Sequence, residues 1–333
     1  MRSKVLVLGG TSFIGRHFVE QMLKNAHVDL VLANRGSTNQ HLFSGIRRIV
    51  LNRMGELPRE IADESWDYVI DFSCYFPDSL QAVIDGLNHQ PKKYIFISTC
   101  SVYDNEDYKL TLRNETAPIL TCTEQQKTDE SPASYGARKA ECERILIQSG
   151  LPYTILRPAL VVGPYDSTDR FYYWLYQLKH NTQLLFPNEG KNVFSITYVK
   201  DLVNTIIAVT KPGMACNIFN VISHPQTSIT EIVSEARNFI SSESTTVNID
   251  PTYLLEKNVA QWTDIPLWLN CNYFTYSNKK IIDKLGITST PLSTILVETI
   301  EYFESIQWPK PTYGMSQKET DQLITSFEKE TIR

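Results

Sequence analysis

Residues 4–15 read Lys4-Val5-Leu6-Val7-Leu8-Gly9-Gly10-Thr11-Ser12-Phe13-Ile14-Gly15. An apolar, β-branched run of strand length meets a glycine turn, and Phe13, Ile14, Phe18, Val19, Met22 and Leu23 then recur at helical steps. Strand, glycine turn and helix in that order is the context a dinucleotide-binding fingerprint requires. A pyrophosphate has to approach backbone N–H groups at a helix N-terminus, where unpaired donors and the helix dipole favour an anion. Gly9 allows the sharp turn and Gly15 the close approach of helix to strand, while Ser12 occupies the middle glycine position with a small side chain that narrows the approach. Backbone and side chains of Gly9, Thr11, Ser12, Phe13, Ile14 and Gly15 are therefore the first candidate cofactor contacts. An ordinary βα turn rich in glycine is the plainer explanation, and the flanking strand and helix weigh against it.

The chain has 333 residues, 42% of them hydrophobic and 21% charged, a balance that forms a core. A net charge of −5 argues against a nucleic-acid partner, which favours a basic excess. Met1-Arg2-Ser3-Lys4 runs straight into the strand without the apolar core and cleavage site of a secretory signal, and no apolar run is long enough to span a bilayer. Six cysteines are scattered with no Cys-x-x-Cys pair, and six histidines are dispersed, so neither a disulfide frame nor a metal site is expected. The expectation is a cytoplasmic protein with no membrane association.

Further strands are predicted at Val28–Ala33, Arg48–Leu51, Trp66–Asp71 and Tyr94–Ser98, with a helix from Pro77 to Leu87. Such alternation predicts an α/β fold, a Rossmann-like doubly wound parallel sheet, with ligands beyond the carboxyl ends of the strands. Phe72, Ser98 and Pro158 follow or end strands and join the cofactor candidates. The second strand ends Ala33-Asn34-Arg35-Gly36, with no acid to bond an adenosine ribose. Asn34 and Arg35 stand there instead, and a guanidinium suits a ribose 2′-phosphate, so NADP(H) is favoured over NAD(H).

Ser98-Thr99-Cys100-Ser101-Val102-Tyr103 closes the fifth strand, and a polar stretch, Asp104–Ala133, follows as a substrate-facing loop or lid. Ser134-Tyr135-Gly136-Ala137-Arg138-Lys139 then opens a helix to about Ser149, with Tyr135 and Lys139 four apart on one face. A tyrosine hydroxyl with its ordinary pKa of ~10 is a poor base at neutral pH, and a nearby ammonium lowers that value. A hydroxyl from Thr99 would orient a substrate oxygen while Tyr135 moves its proton.

These residues resemble the short-chain dehydrogenase/reductase superfamily in its extended NAD-dependent epimerase/dehydratase branch. The resemblance rests on Gly9–Gly15, Ser98–Tyr103, Tyr135–Lys139, Leu156-Arg157-Pro158 with Val162-Gly163-Pro164, and Asp201-Leu202. It implies catalytic roles for Thr99, Tyr135 and Lys139, with Lys139 also binding the nicotinamide ribose. Ser98 and Ser101 are fallbacks for Thr99, and Cys100 and Ser101 are substrate contacts. It also implies a homodimer formed through the Tyr135 helix and the helix before it. Pro164–Trp174 and Leu254–Leu269 look like a poorly characterised bacterial reductase- or epimerase-like group within that branch. Departures are informative. Cys100-Ser101 replaces the Asp-Glu of the 4,6-dehydratases, Leu160 replaces a substrate-binding asparagine, and Phe194-Ser195-Ile196-Thr197 lacks a customary arginine.

The division expected is 1–164 for the dinucleotide-binding domain and 165–333 for a smaller C-terminal α/β substrate-binding part, with about 193–221 returning to the first. Helices are expected at Arg170–Lys179, Asp201–Val209, Ile229–Ile240, after Ser277 and at Glu298–Ile306, with Tyr253, Trp262 and Trp268 as a small satellite core and a frayed tail after Pro309. Arg170 is a candidate clamp for an anionic substrate group. The function expected is hydride transfer between a nicotinamide and a secondary alcohol or ketone of unknown identity. The alternatives are a sugar or sugar-nucleotide epimerase with retained NAD, and a non-catalytic dinucleotide- or RNA-binding protein.

Overall fold

A computed structural model of the chain describes residues 2–104, 111–211 and 216–331. Seven parallel strands form the central sheet: β1 (Ser3–Leu8), β2 (Val28–Asn34), β3 (Arg47–Val50), β4 (Tyr68–Asp71), β5 (Lys93–Ile97), β6 (Tyr153–Pro158) and, from much later in the chain, β10 (Asn217–Val221). The strand order is β3-β2-β1-β4-β5-β6-β10. The direction of winding reverses between β1 and β4, which places the ligand crevice beyond Leu8 and Asp71.

Every strand of such a sheet has to be apolar on both faces, and β1 shows how. Val5 and Val7 point toward α1 (Phe13–Met22) and α7 (Val199–Val209), packing with Phe18, Val19, Leu202 and Ile206. Leu6 and Leu8 point the other way, toward α3 (Pro77–Gly86) and α5 (Tyr135–Gln148), packing with Leu80, Val83, Cys142 and Leu146. The short α2 (Arg59–Ala62) and α4 (Glu124–Thr128) lie in the connections. Six residues of the anticipated loop, 105–110, lie outside the described residues. The rest of that stretch is anchored: Tyr103 bridges Ile119, Arg113 bridges Tyr276, and Thr123 with Gln126 closes a capping box on α4.

The remaining strands make a three-stranded sheet of β7 (Leu160–Val162), β9 (Val193–Tyr198) and β11 (His224–Ser228), and a parallel pair of β8 (Gln183–Pro187) with β12 (Thr245–Ile249). With them pack α6 (Arg170–His180), α8 (Ile229–Ala236), α9 (Pro251–Glu256), α10 (Lys279–Leu285), α11 (Leu292–Ser305) and α12 (Gln317–Thr331). Trp268 is fully buried in the main core of this half, beside Trp174, Phe186 and Leu254, and not in a satellite. The tail does not fray. Leu323, Ile324 and Phe327 sit at helical spacing on α12 and join that core, with Ile324 2% exposed. The helix expected from Glu298 begins a turn and a half earlier, at Leu292, after Pro291. Among the described residues no helix is long and apolar enough to cross a membrane, and no cluster of metal-ligating side chains occurs.

Because Ile324 is docked, Ile324→Ala is expected to cost about 2–5 kcal/mol of stability, read as a lowered urea midpoint at unchanged slope. An unchanged midpoint would return the tail to a frayed appendage.

Candidate active site

The glycine turn leaves α1 without a cap: Ser12 precedes the helix in an extended conformation and its hydroxyl bonds nothing in the first turn. Gly9 (φ +111°) and Gly10 (φ +92°) adopt backbone angles that other residues rarely take, and a Cβ on Gly15 would lie 2.8 Å from the backbone of Gly10. The surface is bare backbone with unpaired donors, which fits a dinucleotide phosphate. Side chains hold the turn from below. Asn34 donates from Nδ2 to the Gly9 carbonyl (3.1 Å) and accepts at Oδ1 from the Gly36 amide, and Asn39 donates to the Thr11 carbonyl at 2.8 Å. Asn34 is thus committed to the turn, while Arg35 beside it is exposed.

The second wall follows β4. Asp71 is fully buried and takes a two-pronged ion pair from Arg53 (2.5 and 2.7 Å), with further bonds from the Tyr94 hydroxyl (2.7 Å) and the Ser73 amide. Against its own burial, the Arg53 charge and these bonds hold the Asp71 carboxyl below the usual range. The pair fixes Phe72-Ser73-Cys74. Phe72 donates its amide to the Leu8 carbonyl and packs on Phe18, with ring centres 5.6 Å apart.

At the end of β5, Thr99 Oγ1 accepts from the Ser101 amide (3.1 Å) and donates to the Ser101 hydroxyl (3.2 Å). Thr99 and Tyr135, 36 positions apart in the chain, are neighbours, and the Thr99 hydroxyl acts on that of Tyr135 in the direction that lowers its pKa. Gly136 makes this approach feasible: a Cβ there would fall 2.2 Å from the Ser101 carbonyl oxygen. Burial pushes the Tyr135 hydroxyl up, outweighing the opposing effect of the Thr99 hydroxyl and of the charges of Arg138 and Arg170. The lowering expected from Lys139 is therefore not seen. Its ammonium donates to the carbonyls of Cys74 (2.9 Å) and Ile97 (2.7 Å) and lies 4.0 Å from the centre of the Phe96 ring.

Other candidates sit differently. Ser98 turns inward and donates to Glu143 at 2.5 Å. Cys100 is buried and its thiol donates to the Arg157 carbonyl, so its side chain is not offered to a substrate, whereas Ser101 is exposed. Pro158 ends β6 and is buried. Arg170 opens α6, and its charge acts on Tyr135. Sequence reasoning passed over Arg53, Gly136, Arg138 and Tyr75. Arg138 donates to the Tyr75 carbonyl (3.2 Å), and the Tyr75 ring lies 6.3 Å from that of Tyr135. A cavity of about 760 Å³ between α1, α7 and α11, lined by His17, Lys200 and Glu298 among others, contains none of the candidate residues.

A doubly wound sheet with an uncapped glycine turn at the point where its winding reverses has the architecture of a dinucleotide-binding α/β protein. The chain belongs to the NAD-dependent epimerase/dehydratase family, whose sequence pattern matches residues 5–221. It is 25% identical over 236 residues to the chloroplast stem-loop binding protein of 41 kDa b from Arabidopsis thaliana, covering 66% of this chain and only 58% of that protein's length. It is 24% identical over 281 residues to UDP-N-acetyl-alpha-D-glucosaminuronate decarboxylase from Bacillus cytotoxicus, covering 75% of this chain and 84% of the other. Among solved structures, UDP-glucuronic acid 4-epimerase from Bacillus cereus in complex with NAD superposes with a TM-score of 0.69 at 20% identity, over 92% of this chain and all (100%) of the other. UDP-glucose 4-epimerase from Thermotoga maritima gives 0.70 at 19% identity, over 91% and 99%. At these identities the two structures establish the shared fold.

Two tests follow from the geometry. Gly136→Ala is expected to destabilise the protein by about 1–3 kcal/mol through overpacking against Ser101, as a shift in denaturant midpoint. An unshifted midpoint would mean that α5 has room to move. Asp166, buried, accepts from the Thr168 amide and hydroxyl, and burial raises its carboxyl to about 6. A carboxyl raised on folding stabilises the fold below its ordinary value and loses that contribution as pH rises through the folded value. Asp166→Asn should accordingly gain on the wild type between pH 4 and 7, by ~3 kcal/mol at most. Parallel stability curves across that range would place the carboxyl at its ordinary value.

Proposed function

We propose that the protein is a nicotinamide-dinucleotide oxidoreductase that interconverts a secondary alcohol and a ketone, with Thr99, Tyr135 and Lys139 as its catalytic residues. The observation that carries the reading is the placement of Thr99, just past the carboxyl end of β5, against the first turns of α5 that bear Tyr135 and Lys139, with Gly136 close against Ser101 and Lys139 bonded to the Ile97 carbonyl. In this reading Gly9, Thr11, Ser12, Phe13, Ile14 and Gly15 hold the pyrophosphate, Phe72, Ser98 and Pro158 flank the nicotinamide half, and Lys139 bonds its ribose. The bound nicotinamide accepts or returns a hydride.

The protein supplies proton management. In oxidation the alcohol proton passes to Tyr135 as the carbinol C–H bond breaks, and Thr99 holds the substrate oxygen; in reduction Tyr135 returns the proton. A partly buried Tyr135 with a raised pKa is protonated at neutral pH, which poises it as a general acid toward a ketone. Lys139, braced on two carbonyls, fixes that side of the pocket. Relatives that are sugar-nucleotide epimerases favour return of the hydride to the same substrate with NAD retained. Exposed Arg35, with no acid nearby on β2, favours an exchangeable NADP(H). A second reading, non-catalytic RNA binding, is favoured by the name of the Arabidopsis relative, a stem-loop binding protein, and the net charge of −5 weighs against it.

Tyr135→Phe is expected to lower hydride transfer by about 10²–10⁴-fold with cofactor affinity unchanged, followed by nicotinamide absorbance on a panel of ketones and sugar nucleotides. Transfer at wild-type rate in the variant would overturn the assignment. In a parallel titration of nucleotide-stripped protein, Arg35→Ala should weaken NADPH about tenfold to a hundredfold and leave NADH alone. A preference for NADH, or nucleotide that cannot be stripped, would overturn the Arg35 argument and favour the epimerase form with NAD retained.

A further inference from the structure

Two cysteines face each other behind the candidate site. Cys74 follows β4 and Cys142 lies on α5, 68 positions apart in the chain, and their sulfurs stand 4.0 Å from one another. Both are free thiols in the apolar layer that includes side chains of α3 and α5, and they are 1% and 0% exposed. Cys74 is nonetheless one residue from solvent, since Tyr75, next along the turn, is 51% exposed.

The two sides of the pair are not equally fixed. Beside Cys142, Glu143 is held by Arg157 and Ser98, so α5 is pinned there. The turn after β4 is pinned as far as Ser73, whose amide bonds Asp71. Beyond it the Cys74 thiol makes only weak contacts, to the Phe76 carbonyl (3.4 Å) and the Ser79 hydroxyl (3.6 Å). Joining the sulfurs closes their gap by about 2 Å, and the turn yields before the helix does. The Cys74 carbonyl that receives the Lys139 ammonium (2.9 Å) and the Tyr75 carbonyl that receives Arg138 (3.2 Å) then shift with it. Electrostatics divides the roles. Against its own burial, the Cys142 thiol and the charges of Arg53 and Lys139 draw the Cys74 thiol below its ordinary value, while contact with Cys74 and burial push Cys142 up.

We propose that Cys74 and Cys142 are a redox pair, converted by hydrogen peroxide to a disulfide that loosens the hold of Lys139 on a nicotinamide dinucleotide. The Cys74 thiolate attacks one peroxide oxygen, the O–O bond breaks, and hydroxide leaves and is protonated to water, giving a sulfenic acid at Cys74. The Cys142 sulfur then attacks that of Cys74. The S–S bond forms, the S–O bond breaks, and the Cys142 proton departs with the hydroxide as a second water. Two thiols lose two electrons and one peroxide is reduced, and a dithiol reverses the change by exchange. The nucleotide half rests on the oxidoreductase reading, whereas the disulfide does not. Linkage makes the effect reciprocal: a disulfide that weakens nucleotide about tenfold is itself disfavoured about tenfold by bound nucleotide.

The test uses the full-length protein carrying Cys216→Ser, which removes an exposed thiol. It is treated with hydrogen peroxide, blocked with N-ethylmaleimide and digested with trypsin. A peptide joining residues 60–92 to 140–144, separated by dithiothreitol, is expected. By calorimetry the joined form should bind NADH or NADPH about tenfold more weakly than the reduced form, with dithiothreitol restoring the affinity. Cys142→Ala should give no joined peptide and accumulate a Cys74 sulfenic acid that dimedone traps; should it fail to fold, Cys142→Ser carries the comparison. Absence of the joined peptide, joining of Cys74 to another cysteine instead, or unchanged nucleotide affinity in the joined form overturns the proposal. A joined peptide in a protein whose reduced form binds neither nucleotide sinks the oxidoreductase reading, and the nucleotide half with it, and leaves the redox pair standing.

Discussion

A carboxylate and a guanidinium, Glu143 and Arg157, are buried together beneath the candidate site, and the positions of the groups above depend on them. Arg157 Nη2 lies 2.5 Å from Glu143 Oε2, and its Nε spans both oxygens. Ser98 donates to the same carboxylate, and Arg157 donates to the Tyr103 hydroxyl, which in turn donates to Asn220 at 2.6 Å. An ion pair out of water is tolerable only when its hydrogen bonds are met, and here they are. Tyr135, Lys139 and Glu143 recur every four residues, so one face of α5 carries two candidate catalytic groups and the anchor that sets their height over β5 and β6. Asp71 with Arg53 does the same for the opposite wall, and Lys139 joins the two by bonding the carbonyls of Cys74 and Ile97.

The sheet was legible in the sequence because local signals and global fold agree there. Glycine turn, apolar strands and amphipathic helices each point to one answer, and strand ends fall within two residues of expectation, as for Trp66 against the observed Tyr68. The Thr99–Tyr135 meeting could be anticipated only through the resemblance, since nothing local in either segment names the other. The inward turns of Ser98 and Cys100 were out of reach for the same reason: their partners, Glu143 and the Arg157 carbonyl, are remote in sequence. The raised Tyr135 is a matter of degree. Burial opposes charge, and spacing along a helix gives the charge without the burial.

The C-terminal half was harder to read because its elements are short and its core is aromatic. Trp268 in a segment of turns reads as peripheral until Trp174, Phe186 and Leu254 close around it. The last helix shows only three apolar residues in an otherwise charged run, Leu323, Ile324 and Phe327, and these prove sufficient because they dock on a pre-existing surface that includes Tyr253. The segment before that helix also brings Tyr313 over Arg170, so the tail reaches the first turn of α6.

The place of β10 has a consequence for biosynthesis. This strand closes the edge of the central sheet against β6, yet 63 residues separate the end of β6 at Pro158 from Val221. At ordinary translation speeds that is roughly 3–13 s during which β6 is an open, hydrogen-bond-hungry edge on a nascent chain. The interval is filled by strands and helices of the other half, which need β11, β12 and later helices for their own core. Neither half can be finished before the other is begun, so vectorial synthesis gives this chain no early folded domain to shelter behind, and its yield in a cell is tied to whatever guards that edge until residue 221 emerges.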